Sequence, residues 1–460
     1  MELISPTDSM FLLAESREHP MHVGGLQLFE PPPDDMGPEF LAEIYNDLLT
    51  YQDVQPTFRK HPPGALFGGI ANLTWAFDRD IDLEYHLRRS ALPKPGRVRE
   101  LLELTSRLHG SLLDRHRPLW ETHLVEGLND GRVAVYTKIH HSLLDGVSAM
   151  KLTKRTLSPD PQDEEIRAPW TIGPRARNKE KKSGGGSPLG GLVRAAGSVA
   201  GLAPRRDHRA WRPLRTAADL AVRSSQDDVQ RADRRGARRV AAQSWPLKRI
   251  IAIKEAAAGV TVNDVILAMC AGALRAYLIE QDALPDKPLI AMVPVNLRDD
   301  NDPSSGGNQV GAILCSLATD QSDPAKRLEA IHDSISGNKE VFLQLPKMQQ
   351  LALSAFNMAP LALTLLPALA AAAAPPFNIV ISNVPGAREP LYWHGGARLD
   401  GNYPLSIALD GQALNITMSN NADNLDFGLV GCRRSIPHLQ RLLTQLEDSL
   451  AALEKAVGGV

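Results

Sequence analysis

Between His123 and Gly146 the chain carries a strand, a turn and a second strand that ends in two adjacent histidines. His123-Leu124-Val125-Glu126 reads as the first strand. Asn129-Asp130-Gly131 supplies the turn, since Asp-Gly tolerates the positive φ that a tight hairpin needs. Val133-Ala134-Val135-Tyr136-Thr137-Lys138-Ile139 alternates and reads as the return strand. It runs directly into His140-His141-Ser142-Leu143-Leu144-Asp145-Gly146. The pattern fixes an antiparallel pair and delivers an imidazole to a strand terminus. A neutral imidazole, with a pKa of about 6.5, is the usual side chain for taking a proton from a hydroxyl at neutral pH. Asp145, four residues beyond His141, can brace the loop without acting as a second base. His140 reads as a packed neighbour. The bland alternatives are a core histidine pair or an incidental metal site.

A chain of 460 residues is too long for one ordinary core, so two domains or one large α/β unit are expected. The net charge of −2 gives no global field to attract nucleic acid or an anionic membrane. Cys270, Cys315 and Cys432 lie far apart and fit no zinc or disulfide spacing, which points to buried free thiols in a reducing compartment. The start, Met1-Glu2-Leu3-Ile4-Ser5-Pro6, has neither a basic segment nor an apolar one, so no signal peptide is expected.

Three blocks are expected: 1–158, 159–243 and 244–460. In the first, Gly24–Phe29 is a candidate strand, and Arg99–Leu113 has leucines at helical spacing. The second is Gly- and Arg-rich. From Arg175 to Arg249 there are 19 Lys/Arg against 6 Asp/Glu, an excess of 13. It reads as a solvated linker, partly helical or flexible, with a basic surface for CoA phosphates or acidic headgroups as the functional alternative. Few aromatics interleave with the charge, so nucleic acid is not an expected partner. In the third block, helices are expected over Lys248–Ala258, from Val262 to Ile279 behind a Thr261 cap, and over Pro437–Val457. Strands are expected over Leu289–Arg298, Gly311–Leu317, Asn378–Asn383, Leu405–Leu409 and Leu414–Ser419. The uncharged run Met348–Pro376 is long enough to span a bilayer. Pro360 and Pro367 interrupt it, which favours a buried helix pair, then a lipid-touching surface, over a span.

Seven pieces occur in order: Pro118-Leu119-Trp120-Glu121, the His140–Gly146 stretch, Asn263-Asp264-Val265, Val293–Arg298, Gly307-Asn308-Gln309-Val310-Gly311, Ser382-Asn383-Val384-Pro385-Gly386 and Leu425-Asp426-Phe427-Gly428. Together they resemble the bacterial wax ester synthase/diacylglycerol acyltransferase family over nearly the whole chain. The resemblance implies an α/β protein of two chloramphenicol-acetyltransferase-like domains with a tunnel between them and the active histidine at its middle. It implies an O-acyltransferase that esterifies diacylglycerol, a long-chain alcohol, or both. Acyl-CoA would be the co-substrate, with no bound cofactor, no metal and no covalent acyl-enzyme. His141 matches the general base. Asp145 matches a structural residue paired with an arginine of the second domain, for which Arg298 is the counterpart here. His140 and Gly146 complete the motif. Pro118, Leu119 and Trp120 match a motif near the acceptor channel. Asn263 and Asp264 match a helix motif near the site, and Asn263, Asn296 and backbone N–H groups are the candidate oxyanion donors. Asp264 also has a plain reading as a partner of its helix dipole. Asp426-Phe427-Gly428 resembles the corresponding segment of these enzymes and not that of kinases, because no Gly-rich loop accompanies it.

The family often has Ala where Ser142 stands, which adds a hydroxyl beside the base. No oxyanion signature surrounds it, so it is not read as a nucleophile. A cytoplasmic location, at the inner membrane face or on lipid droplets, is the implied setting. Two other readings stay open at this point: a same-fold acyltransferase fed by a carrier protein, and a lipid-surface binding protein without turnover.

Overall fold

The computed structural model describes residues 2–32, 38–63, 74–173, 237–296, 310–345, 349–350, 377–408 and 412–458. In chain order the first elements are β1 (Glu2–Leu3), α1 (Pro6–Ala14), β2 (His22–Glu30), α2 (Pro38–Thr50), β3 (Lys60–His61), β4 (Thr74–Phe77), α3 (Leu83–His86), β5 (Leu87–Ala91) and α4 (Val98–His109). Next come β6 (Trp120–Glu126), β7 (Val133–His140), α5 (Gly146–Thr156), β8 (Arg238–Pro246), α6 (Leu247–Ala256), α7 (Val262–Glu280), β9 (Ile290–Asn296), β10 (Val310–Ser316) and α8 (Pro324–Gln344). The last are β11 (Ile379–Ala387), β12 (Tyr392–Trp393), β13 (Ala397–Leu405), β14 (Leu414–Asn421), β15 (Asn424–Cys432) and α9 (Arg441–Gly458).

The chain divides into two compact units. One contains the described parts of Met1–Gly173, Arg231–Ile251 and Ser382–Thr444, the other those of Ala252–Ile381 and Gln445–Val460. The division falls within α6, β11 and α9, so each unit draws on more than one stretch of sequence. Most of the basic block, residues 174–236, lies outside the described residues, as does 351–376 of the apolar run.

In the first unit the expected hairpin lies in a six-stranded sheet of order β12-β13-β2-β7-β6-β5. β6 and β7 pair antiparallel, and Gly131 takes φ 83° in the turn between them. Side chains alternate across β7. Val133, Val135 and Ile139 join a core with Phe29, Leu124, Trp120 and Trp170. Ala134 and Tyr136 face a second core with Leu26, Leu101 and Leu102. Both faces of the strand are therefore covered. α4 ends at His109, earlier than the leucine spacing predicts. Gly110 forms the C-cap. Just beyond it, the buried Lys138 Nζ donates to the Leu108 and Ser111 carbonyls. A cation at that position complements the helix C-terminus.

The same unit holds the antiparallel set β14-β15-β8, with Ser419 opposite Asp426 and Asp426 opposite Ser244. Of the strand expected at Leu405–Leu409 only Leu405 is strand, as the last residue of β13, which starts at Ala397; 406–408 are not strand and Leu409 lies outside the described residues. Asp400, Gly401, Asn402 and Pro404 conceal it, because all four are poor strand formers. β13 tolerates them because a bulge falls between Leu399 and Gly401 and the Asn402 N–H donates to Asp426 (2.6 Å). Gly428 explains the last residue of the Asp-Phe-Gly segment. A Cβ there would lie well inside van der Waals contact of the Pro404 carbonyl oxygen. Gly428→Ala should therefore cost about 3 kcal/mol, as overpacking against a rigid backbone does. A denaturant midpoint equal to wild type would show that β13 can yield.

In the second unit β10 pairs antiparallel with β9, and the start of β11 pairs parallel with it. α7 begins at the expected Thr261 cap, with Asp264 completing a capping box. It is long and apolar enough to cross a membrane by length and composition, and most of it is buried inside the protein. Cys270, Cys315 and Cys432 are buried thiols. Burial pushes the Cys270 and Cys315 thiols up to about 12.

Candidate active site

The histidine pair occupies the end of β7 and the first turn residue beyond it. Alternation places His140 on the Tyr136 and Lys138 face, where it is fully buried opposite His22. Its N–H donates to the Leu119 carbonyl (3.0 Å). The Ser142 N–H donates to its Nδ1 (3.2 Å), and the Ser142 Oγ lies 2.6 Å from the same atom. The hydroxyl that departs from the family pattern thus serves His140 and makes no described bond to His141. Leu143 and Leu144 N–H groups donate to the His140 carbonyl and close the turn.

His141 is held by its backbone, whose N–H donates to the Met21 carbonyl (2.8 Å). The Phe11 ring stacks on its imidazole at 4.2 Å between centroids and 16° between planes. Nδ1 is buried with no hydrogen-bond partner among the described residues, while the residue as a whole stays partly exposed. Of the two ring nitrogens, Nδ1 is the enclosed one. Burial pushes the imidazole down to about 4, with the nearby His140 adding to the shift and its own carbonyl and Asp145 opposing it. At neutral pH the ring is uncharged and can accept a proton.

Asp145 is the N-cap of α5, its Oδ1 accepting from the Ser148 N–H at 2.6 Å. The contact ties the loop to the start of α5. Arg298, its expected partner, lies outside the described residues. Gly146 opens α5 with an ordinary negative φ, and a Cβ there would meet nothing within 4 Å. Neither backbone strain nor packing among the described residues requires glycine at that position.

Pro118, Leu119 and Trp120 are buried. Leu119 contributes its carbonyl to His140. Trp120 lies deep in the core, its Nε1 donating to the Phe58 carbonyl (2.9 Å) and its ring stacked between His86 and Trp170. Asn263, Asp264 and Asn296 belong to the second unit. Asn263 is partly exposed on the first turn of α7. Asp264 is buried, its Oδ2 accepting from the Thr261 N–H and contacting His332 Nδ1, both at 2.9 Å. Its plain reading as a helix-terminus partner describes these contacts. Asn296 ends β9.

Two groups at the site had no sequence signal. Phe11 and Glu15 lie on and just after α1, more than a hundred residues from the histidines they touch. Nothing in their local pattern marks them. Among the described residues no three His, Cys, Asp or Glu side chains come together to hold a metal ion.

Comparison with known proteins is consistent over the full chain. The sequence model of the wax ester synthase/diacylglycerol acyltransferase catalytic domain matches residues 4–266, and that of the WS/DGAT C-terminal domain matches residues 306–454. A Mycobacterium tuberculosis protein named "Probable diacylglycerol O-acyltransferase tgs2" is 62% identical, over 100% of both chains. O-acyltransferase WSD of Acinetobacter baylyi is 41% identical, over 99% of this chain and 98% of its own. Among solved structures, the wax ester synthase/diacylglycerol acyltransferase of Marinobacter aquaeolei VT8 is 41% identical and superimposes with a TM-score of 0.79, covering 100% of both chains. The first condensation domain of the calcium-dependent antibiotic synthetase gives a TM-score of 0.58 at 15% identity, over 99% of this chain and 96% of its own, and shares the fold.

Proposed function

The chain belongs to the wax ester synthase/diacylglycerol acyltransferase family and is an acyltransferase, and from that premise we propose that His141 is the general base that moves an acyl group from acyl-CoA to the hydroxyl of diacylglycerol or a long-chain alcohol. The observation that carries this reading is the state of His141: uncharged, pinned by its backbone, stacked on Phe11 and partly exposed, with Nδ1 enclosed.

His141 Nε2 takes the hydroxyl proton as the oxygen attacks the thioester carbonyl. A base whose conjugate acid has a pKa of about 4 cannot generate a free alkoxide. Proton transfer is therefore concerted with formation of the C–O bond. The tetrahedral oxyanion needs donors, for which Asn263, Asn296 and backbone N–H groups remain the candidates. Collapse expels the CoA thiolate, which takes the proton back from His141. No acyl-enzyme forms in this scheme. The thioester supplies the driving force, and the protein positions and deprotonates. Asp145 acts by holding the start of α5, and Trp120 by shaping the wall behind β6.

Diacylglycerol and long-chain alcohols are water-insoluble, so we place the enzyme in the cytoplasm against a membrane or lipid-droplet surface. The exposed apolar side chains Leu3, Met10 and Leu13, on and beside the helix that covers His141, support that contact.

The test is CoA-thiol release from palmitoyl-CoA with diacylglycerol or hexadecanol as acceptor. Acceptor-dependent release is expected, and the faster acceptor identifies the main product. No release with either would overturn acyl-CoA as donor. The open space at Gly146 gives a second expectation. Gly146→Ala should leave stability within about 1 kcal/mol of wild type, because the fold has room for the methyl. It should slow transfer about tenfold or more, because substrate is expected to use that room. Wild-type rates would show that substrate passes elsewhere.

A further inference from the structure

We propose that Glu15 is a positioning residue for the transfer, its buried carboxylate holding His140 and the Met21 peptide and through them fixing the orientation of His141. The proposal rests on His141 as general base and adds to it a residue that touches neither substrate nor the base itself.

The Glu15 side chain is only 2% exposed. A carboxylate so buried must be fully engaged or it would destabilise the fold. Its Oε2 accepts from Arg115 Nε (2.9 Å). Its Oε1 accepts from the Met21 N–H (3.3 Å) and lies 3.3 Å from His140 Nε2, a close contact outside hydrogen-bond geometry. The Met21 carbonyl in turn accepts the His141 N–H. One carboxylate thus reaches the base by two short routes, through the preceding residue and through the neighbouring peptide.

The proton placement on His140 follows from its surroundings. The Ser142 N–H points into Nδ1, so Nδ1 carries a lone pair. The hydrogen is then on Nε2, the atom that faces Glu15. Burial alone would raise the Glu15 carboxyl, but the combined pull of His140 and Arg115 keeps it below the ordinary carboxylate range. The group is ionised, as the contact requires.

Phe11 lies one helical turn before Glu15 and stacks on the His141 ring. Arg115 also donates to the Leu12 carbonyl, tying α1 to the same cation that neutralises Glu15. α1 therefore restrains the base twice, by its ring through Phe11 and by its backbone through Glu15. Restraint of this kind matters because small misplacements of a base are costly in rate.

The test is a double-mutant cycle on kcat with Glu15→Gln, His140→Asn and the double variant, with thermal midpoints measured in parallel. His140→Asn keeps a polar group near Ser142 and removes the donor that faces Glu15. Each single change should lower kcat about 10- to 100-fold with KM within about twofold of wild type. The double should be no slower than the slower single, because His140→Asn removes only a route that Glu15→Gln has already removed. Wild-type kcat in Glu15→Gln, even with a lowered midpoint, would reduce Glu15 to a structural role and overturn the proposal. Multiplicative losses in the double would overturn it as well. If Glu15→Gln does not fold, Glu15→Asp is read in the same way, since it keeps the charge against Arg115 and withdraws the oxygen from His140 and Met21. His141→Ala in the same assay separates the two levels. Turnover retained there removes the general base itself, whereas a dead His141→Ala beside an unimpaired Glu15→Gln removes only the positioning.

Discussion

Replacing His141 by alanine should lower acceptor-dependent CoA release by a factor on the order of 10²–10⁴. The range reflects what a positioned base contributes beyond the thioester's own reactivity and the approximation of the substrates. Loss of fold should not account for the effect. The imidazole makes no hydrogen bond to another described side chain, and its main packing loss is the Phe11 stack. That stack is worth about 1 kcal/mol. The backbone bond from residue 141 to Met21 survives any substitution except proline. The variant should therefore melt close to wild type and still bind acyl-CoA. Undiminished turnover in His141→Ala would eliminate the assignment, and His140 would not inherit it. That ring is fully buried, with Ser142 against Nδ1 and Glu15 Oε1 3.3 Å from Nε2, so it is closed to a hydroxyl.

The sequence made the hairpin, the strand-terminal histidines and the Thr261-capped helix legible because each is a local pattern. Asp-Gly turns, period-two alternation and capping residues act over a few positions, and their physics does not depend on the rest of the chain. Where tertiary contacts take over, that reading fails. β13 carries Asp400, Gly401, Asn402 and Pro404, and exists because β2 and Asp426 satisfy it from elsewhere in the chain. α4 stops four residues before its leucines do, with Gly110 as its C-cap and Lys138 bonded to the carbonyls of Leu108 and Ser111 on either side of that cap.

The site divides the same way. His141 and Asp145, proposed here as base and brace, stand out in the sequence because they share one turn. Glu15 was not, because a lone glutamate after a short helix looks like any surface acid until the fold buries it against Arg115 and His140. Trp120 shows the converse. Its motif is conspicuous in sequence, yet its indole N–H and both ring faces are taken up by core partners.

Stability should fall as pH drops from about 6.5 toward 4, and the buried histidines set the direction. His109 and His141 are both pushed down to about 4, first by burial, and burial also holds His22 well below its ordinary value. Their neutral forms are built in. His109 Nδ1 lies against the Tyr136 hydroxyl (2.9 Å) and its Nε2 against the Ser406 carbonyl (3.2 Å), while His22 Nε2 donates to the His109 carbonyl (2.9 Å). For a group whose folded pKa is depressed, the unfolded chain takes up the proton first. Stability is then lost from the unfolded pKa near 6.5 down to the folded one near 4, by about 3 kcal/mol at pH 4 for each of His109 and His141. Asp426 works in the opposite sense. Burial raises its carboxyl to about 7, so the folded state keeps a proton that the unfolded chain gives up. Its contribution is present at low pH and lost as pH rises toward 7, which returns about 3 kcal/mol on acidification. Two histidines with His22 outweigh one aspartate, so the net change on acidification is a loss. The measurement is the denaturant midpoint from pH 4 to 8 for wild type and Asp426→Asn. Wild type should weaken toward pH 4. Asp426→Asn should be more stable than wild type at pH 8 and lose stability more steeply on the acid side, since it lacks the opposing group. A flat wild-type profile that Asp426→Asn leaves unchanged would mean that these groups titrate normally. The uncharged His141 on which the transfer scheme depends would then lose its physical basis.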